Sequence, residues 1–403
     1  MERDFFDRET DRRNTFCEKW DDRSVMEEGG IPLWVADMDF ACAPEIMEAI
    51  RIRSEHPCFG YTSSLDYDEN TEALRGFWKR RHGLEITADS CVQLPCVITG
   101  LKSCIRVFTE PGDGIIVMTP VYGPFYASVN LNGRRVMEVP LQPDESGLYR
   151  MDFSVMEKAM QDGARMMMIC SPHNPVSRAW RRDELERAVQ LAAQYGVKIV
   201  CDEIHADFVF SPETFVPILS VPGAKERTVM LCSASKTFNI AGLQQACAVI
   251  PNDEMRRSIQ QELEAAGVTS GNIFALTATK SAYRFGDQWL DGLMNYLTEN
   301  RDFLTEWIGE HLPEVSVTPI EATYLAWLDC RAYGKSTEDL LAACKTEGVA
   351  LTGGTFFGSA GEGFLRLNFA CPRKQLLEGL KRLKSALTGL STETRQDCGG
   401  LGQ

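Results

Sequence analysis

The chain lacks any paired-cysteine motif. Its 14 cysteines are scattered singly through 403 residues with no C-x-x-C, and Cys170, Cys201, Cys232 and Cys247 sit within or at the ends of apolar runs. Such thiols behave as small buried hydrophobes, which suits a reducing compartment better than a disulfide framework. Metal-ligand spacing is missing as well: the five histidines, His56, His82, His173, His205 and His311, match no zinc pattern. No apolar run approaches a membrane span, and the charged start MERDFFDRETDRR contains no signal-peptide core. Positive charge is scarce, with 42 Lys and Arg against 57 Asp and Glu for a net charge of −15. That balance argues against nucleic acid or an anionic membrane as a main partner. There is no internal repeat. What remains is a cytoplasmic protein large enough for a big core and a second, smaller one.

Alternation of short apolar runs with helical patterns dominates the middle of the chain. Gly114 to Met118, Met166 to Cys170, Val197 to Cys201, Thr228 to Cys232 and Ala246 to Ile250 are continuous apolar runs of strand length. Between two of them, Leu185, Ala188, Val189 and Ala192 recur at helical spacing and the pattern stops at Gly196. Buried strands separated by helices predict an α/β fold, a mainly parallel sheet with helices on both faces whose ligands bind at the strand C-terminal ends. Before it, Ile31 to Phe40 reads as an extended apolar segment, and Pro44 to Ser54 and Glu69 to His82 read as helices. After about residue 287 a long polar helix, two strand-like runs and an amphipathic helix predict a smaller α+β domain. The expected division is an N-terminal segment (1–45) packed with the small domain, a large domain (46–286), a small domain (287–390) and a flexible tail (391–403).

The stretch TVMLCSASKTFNIAGL organises the rest. A strand-length run breaks off into Ser233 and Ser235, directly before Lys236, and Phe238, Ile240 and Leu243 follow. A lysine so bracketed is held in a pocket, where desolvation lowers its pKa and makes it the nucleophile that Schiff-base chemistry requires. Small hydroxyls beside it admit a phosphate. Four further features fall where a ligand would lie in such a sheet. SPHNP, after the Met166 to Cys170 run, holds Asn174 in a turn stiffened by two prolines. DEIH places Asp202 at a buried strand end, where it needs a cation such as a pyridinium nitrogen, with His205 in reach of a neighbouring ring oxygen. The same motif also reads as a helix N-cap followed by a satisfied core histidine. QLPCVITGLKS enters a helix whose first backbone N–H groups can hold a phosphate, although the loop is not glycine-rich. VYGPF leaves Tyr122 able to stack on a flat ring. Arg366, between Leu365 and Leu367 in an apolar strand, needs a carboxylate, either a substrate's or an internal one.

Taken together, LWVADMDF, GYTSS, VYGPF, SPHNP, DEIHADFVF, SKTFNIAGL, EATYLAWLD and GEGFLRLNFACPR resemble the fold type I pyridoxal-phosphate enzymes of the aspartate aminotransferase superfamily. Within it they resemble the cystathionine β-lyases, C–S lyases of the MalY/PatB type, over about residues 5–385. The resemblance implies a homodimer binding pyridoxal 5′-phosphate. Lys236 would form the Schiff base, Asp202 would pair with the pyridine nitrogen, Asn174 and His205 would lie near the ring O3′, and Tyr122 would stack over the ring. Val97 and Ile98 through their amides, with Ser233 and Ser235, would hold the phosphate, and Tyr61 would reach it from the neighbouring subunit. Arg366 would bind the substrate carboxylate.

This chain departs from the family pattern at Cys96, Ser171 and Ser177, which replace a glycine, an asparagine and a glycine. A displaced phosphate loop, or a thiol lining the site, is the expected consequence of Cys96. The implied activity is β-elimination from a cysteine S-conjugate such as L-cystathionine, giving a thiol, pyruvate and ammonia. An aminotransferase uses the same lysine, aspartate and arginine, but His205 stands where aminotransferases usually have tyrosine, which favours the lyase. A regulatory binding protein on the same fold is the second alternative.

Overall fold

A computed structural model describes residues 3–25 and 29–397, with backbone alone over 391–397. Its centre is a seven-stranded sheet formed by β1 (Cys91–Leu94), β2 (Gly114–Thr119), β3 (Arg135–Pro140), β4 (Ala164–Cys170), β5 (Lys198–Asp202), β6 (Thr228–Cys232) and β7 (Ala246–Val249), in the order β1-β7-β6-β5-β4-β2-β3. Strands β3, β2, β4, β5 and β6 run parallel, and β7 is antiparallel to both of its neighbours. Continuous apolar runs form these strands because both faces are covered. Met167, Ile169, Ile199, Cys201 and Met230 enter one core, while Met166, Met168, Cys170, Val200 and Leu231 enter another. Period-two alternation sends successive residues into different layers.

Helix Val97–Phe108 packs on the second of these faces. Gly100 lets it sit low: a Cβ there would lie 2.7 Å from methyl carbons of Leu94 and Leu231. Its N-terminus is thereby brought to the end of the sheet where β4, β5 and β6 finish. The helix expected from Glu69 starts earlier, at Ser64, and runs to His82, closed by Gly83 at φ 65°. Helix Arg182–Tyr195 likewise ends on Gly196 at φ 69°.

The second sheet is antiparallel and consists of β8 (Ser316–Val317), β9 (Leu325–Asp329), β10 (Thr352–Gly353) and β11 (Phe364–Asn368), in the order β8-β9-β11-β10. Helices Asp287–His311, Thr337–Thr346 and Arg373–Asp397 accompany it. Ile31–Pro32 pairs in parallel with Val349–Ala350, so the N-terminal segment adds to this region. Two expectations need correction. Strand structure in the Ile31 to Phe40 segment stops at Pro32: Leu33 still bonds the backbone of Ala350 and Asn368, but beyond Trp34 the chain bends and the carbonyls of 34–38 and 40 are taken by side chains. The chain also stays helical through 391–397, where a flexible tail was expected, and the rest of that expected tail, 398–403, lies outside the described residues.

Among the described residues no helix is long and apolar enough to cross a membrane, and no group of His, Cys, Asp or Glu is arranged to hold a metal ion.

Candidate active site

The C-terminal ends of β4, β5 and β6 and the N-terminus of helix Val97–Phe108 converge on a cavity of about 170 Å³. Lys236, Asp202, Asn174, His205, Tyr122, Val97, Ile98, Ser233, Ser235 and Cys96 all line it. Residues separated by up to 140 positions thus share one small space.

Lys236 follows β6 on the short helix Ala234–Thr237, whose N-cap is the Ser233 hydroxyl, accepting from the Ser235 N–H at 3.0 Å. Its Nζ donates to the Ala36 carbonyl at 2.5 Å. Burial pulls the amine down to about 8, opposed by Asp37 and reinforced by Arg366. An amine so depressed is a nucleophile near neutral pH.

Asp202 ends β5, and its Oδ1 accepts the Ile204 N–H at 3.1 Å. Among the described residues no cation forms an ion pair with it, and burial raises its carboxyl to about 7. A buried carboxylate facing a cavity without a cation is a site for a cation from outside the chain. His205 is buried, and its Nδ1 has no hydrogen-bond partner. Burial, then the charges of Lys236 and Arg366, lower its pKa to about 3. It is therefore a neutral imidazole with an unused nitrogen, and the satisfied core histidine that the motif also allowed is excluded.

Asn174 is fixed by Arg366, whose Nη1 donates to its Oδ1 at 3.2 Å, which leaves the amide NH2 as the donor for a ligand oxygen. Arg366 itself is on β11 and fully enclosed. Its Nη2 donates to the Trp34 carbonyl at 2.7 Å, the ring of Phe357 lies 4.9 Å from the guanidinium carbon, and Nε has no partner. No carboxylate pairs with it among the described residues, and burial lowers it to about 10. The internal salt bridge that the sequence left open is not formed, so a bidentate ligand carboxylate would supply the missing charge.

At the helix entrance Cys96 has φ −161° and ψ 163°, extended backbone open to any side chain. Glycine is not required there by the backbone conformation. The thiol lines the cavity, 3.3 Å from the Thr99 hydroxyl. Val97 and Ile98 begin the helix and present N–H groups without intrahelical acceptors. Ser233 is less available than its motif implies, since its hydroxyl donates to the Gln245 carbonyl at 2.5 Å. Ser235 is the freer hydroxyl, 2.9 Å from that of Ser233. Ser177, in place of a glycine, adopts φ 55°, and its hydroxyl is bonded to the Leu325 carbonyl. The strain of a left-handed serine is thus offset by a local bond. Tyr61 is not brought to this cavity; it is 98% exposed.

Several participants have no obvious mark in the sequence. The Ala36 carbonyl holds Lys236 and also accepts from the Tyr324 hydroxyl at 3.0 Å. Gln244, at φ 59°, and Gln245 also line the cavity. Backbone acceptors leave no residue-type signal, although Tyr324 lies inside EATYLAWLD.

Cofactor-binding geometry of this kind has close counterparts. Cystathionine beta-lyase PatB of Bacillus subtilis is 38% identical over 95% of this chain and 100% of its own length. Protein MalY of Escherichia coli is 35% identical over 95% of this chain and 98% of its own. Cystalysin from Treponema denticola, a crystal structure containing pyridoxal 5′-phosphate, superposes with a TM-score of 0.89 at 30% identity, covering 96% of this chain and 99% of that one. The family model described as aminotransferase class I and II matches residues 28–383, and it is to this family that the chain belongs.

Proposed function

We propose that this chain is a pyridoxal-phosphate-dependent C–S β-lyase that cleaves cysteine S-conjugates such as L-cystathionine to a thiol, pyruvate and ammonia. The observation that carries the reading is the pairing of an amine held near pKa 8 with a cation-free buried carboxylate and an unpartnered imidazole around one small cavity. Those are the groups that a pyridinium ring bearing an aldehyde and a hydroxyl needs. Relatives named cystathionine beta-lyase, and a PLP-bound C–S lyase from Staphylococcus hominis at a TM-score of 0.87, support the same chemistry.

In this reading Lys236 would hold the cofactor covalently, Asp202 the ring nitrogen, and Asn174 and His205 the ring hydroxyl. Tyr122 would cover the ring, and the Val97 and Ile98 amides with Ser235 would hold the phosphate, with Ser233 behind it. Bound there, the cofactor supplies an electron sink for charge developed at the substrate Cα. Arg366 clamps the substrate carboxylate and so fixes which Cα bond is aligned for cleavage. The Lys236 amine would take the Cα proton, the Cα–H bonding pair would become a Cα–Cβ double bond, and the Cβ–S pair would leave with the thiolate. Hydrolysis of the three-carbon remainder yields pyruvate and ammonia. A positioned base contributes about 10²- to 10⁴-fold.

Elimination and transamination are separated by the acceptor. Incubation with L-cystathionine should release pyruvate with no keto acid added, and strict dependence on a keto acid would make the enzyme an aminotransferase.

We also propose a cytoplasmic homodimer with the division 1–45, 46–286 and 287–390 described above. Every described cysteine is a free thiol, which supports a reducing compartment. Met47 and Ile52 on helix Pro44–Glu55, Phe59 and Tyr61 in the loop after it, and Leu65 at the start of helix Ser64–His82 are exposed apolar side chains close together in sequence, the kind of surface a partner subunit would cover. A second opening of about 320 Å³, lined by Gln93, Tyr67, Gly242 and Asn272, shares Pro95, Gln244 and Gln245 with the catalytic cavity. It gives a neighbouring subunit's tyrosine a route to the phosphate site.

A further inference from the structure

Segment Trp34–Phe40 has no regular structure beyond its start, yet side chains from two distant elements grip its backbone. The two functional cations take alternate carbonyls: Arg366 donates to Trp34 at 2.7 Å and Lys236 to Ala36 at 2.5 Å. The carbonyls on either side of Ala36, those of Val35 and Asp37, both accept from Asn368 Nδ2 at 2.6 Å. Further on, the Met38 N–H donates to Asn239 Oδ1 at 3.0 Å, and Asn239 Nδ2 donates to the Met38 and Phe40 carbonyls at 2.9 Å each. Asn368 is two residues beyond Arg366 on β11, and Asn239 is three beyond Lys236. Each asparagine therefore travels with one functional side chain and grips the segment that this side chain also grips. Asn368 is fully buried and its amide is fully used, its Oδ1 accepting the Ala370 N–H at 2.8 Å. Asn239 adopts φ 57°, a conformation asparagine tolerates better than most residues.

We propose that Asn239 and Asn368 are positioning residues that make segment 34–40 a shared gauge, holding the Ala36 carbonyl against the Lys236 amine and the Trp34 carbonyl against Arg366. The spacing between the proton-accepting amine and the carboxylate anchor is then set by one piece of backbone rather than by two independent domains. The Val35 and Asp37 carbonyls that flank Ala36 are pinned to one Asn368 amide while the chain bends through 35–37, so the direction of the Ala36 carbonyl is fixed from both sides. The inference rests on the lyase reading for the roles of Lys236 and Arg366.

Two variants test it, each compared with wild type for colour, melting temperature, KM and kcat on L-cystathionine, and the pH dependence of cofactor uptake by cofactor-free protein. Asn239→Gly keeps the positive φ and removes all three bonds. A carbonyl acceptor favours the ammonium form, so loosening the backbone at Met38 and Phe40, and with it the hold of the Ala36 carbonyl that Tyr324 also bonds, should shift the acid limb of the uptake rate about 0.5 to 1 pH unit lower. The charged groups facing that amine are Asp37, Arg366, Asp202 and Glu18, and neither variant alters them. Asn368→Ser should raise KM about five- to tenfold, through Trp34 and Arg366, with a smaller change in kcat. If Asn368→Ser does not fold, Asn239→Gly decides alone. Lower melting temperatures with an unmoved uptake profile and unmoved KM would make both residues structural and overturn the proposal. A wild-type protein that takes up no cofactor would instead overturn the lyase reading itself.

Discussion

Lys236 and Asp202 are the residues whose environments matter most, and each makes a prediction whose sign follows from burial. The lysine falls from 10.5 to about 8, so cofactor uptake should rise through pH 8 and level off, rather than climb toward 10. Its charged form is disfavoured in the fold, so this group adds stability as pH rises from about 8 to 10.5. Asp202 is raised from 3.8 to about 7. In cofactor-free protein its contribution is fully present below about pH 4 and is lost as pH rises through 7. Asp202→Asn should consequently melt higher than wild type at pH 8 without cofactor, by up to a few kcal/mol on the order-of-magnitude scale of such shifts, while binding cofactor less well. An unchanged melting temperature at pH 8 would contradict the assignment of a cation-free carboxylate. Arg366→Lys keeps charge but loses the fork, and should raise KM roughly 10- to 100-fold. At this scale the sequence was readable wherever residue type carries the chemistry, as at Lys236, Asp202 and Arg366. It was silent on Ala36, whose contribution is a carbonyl, and at Cys96 one of its two expectations, a side chain lining the site, agrees with the cavity.

Among elements, the five parallel or near-central strands were legible because burial on both faces writes an uninterrupted apolar run. Edge strand β3 was not, since RVMEVP is largely solvent-facing and carries Arg135 and Glu138. The 34–40 segment was misread as extended for a different reason. Its apolar look comes from packing, while its shape comes from polar side chains far away in sequence. One side of it is a buried ion network: Lys19 lies 2.8 Å from Asp39, and Arg12 bonds Asp37 and Asp39 at 2.7 Å each. Burial opposes ionisation of Asp39, but Lys19 and Arg12 hold its carboxyl below the ordinary range. Its stabilising contribution is accordingly present above about pH 4 and is lost as pH falls through that depressed value. Asp39→Asn leaves the buried Lys19 and the partly buried Arg12 with Asp37 as their one carboxylate and should cost about 3 kcal/mol, read by chemical denaturation at pH 7. A loss within experimental scatter would show that the network is not holding the segment.

For the molecule as a whole, the site is drawn from both sheets: β11 supplies Arg366, while β5 and the turn after β6 supply Asp202 and Lys236. Its third contributor, in the proposed dimer, is the partner's Tyr61. Charge introduced into the exposed patch, for example Phe59→Glu with Leu65→Glu, should produce monomers by light scattering and lower activity together with cofactor retention. A fully active monomer would refute the shared site. The fold class was visible in the sequence because buried apolar strands alternate with helices, and the change to charged helices near residue 287 is the composition signal behind the proposed second part. The proposed dimer rests, in the sequence, on Tyr61 alone and on resemblance.

The central claim concerns one covalent bond, and borohydride reduction of the cofactor-loaded protein followed by peptide mapping tests it most directly. The account predicts a single phosphopyridoxyl adduct on Lys236, absent from Lys236→Ala. An adduct elsewhere, or none on a protein that still releases pyruvate from L-cystathionine, would contradict it.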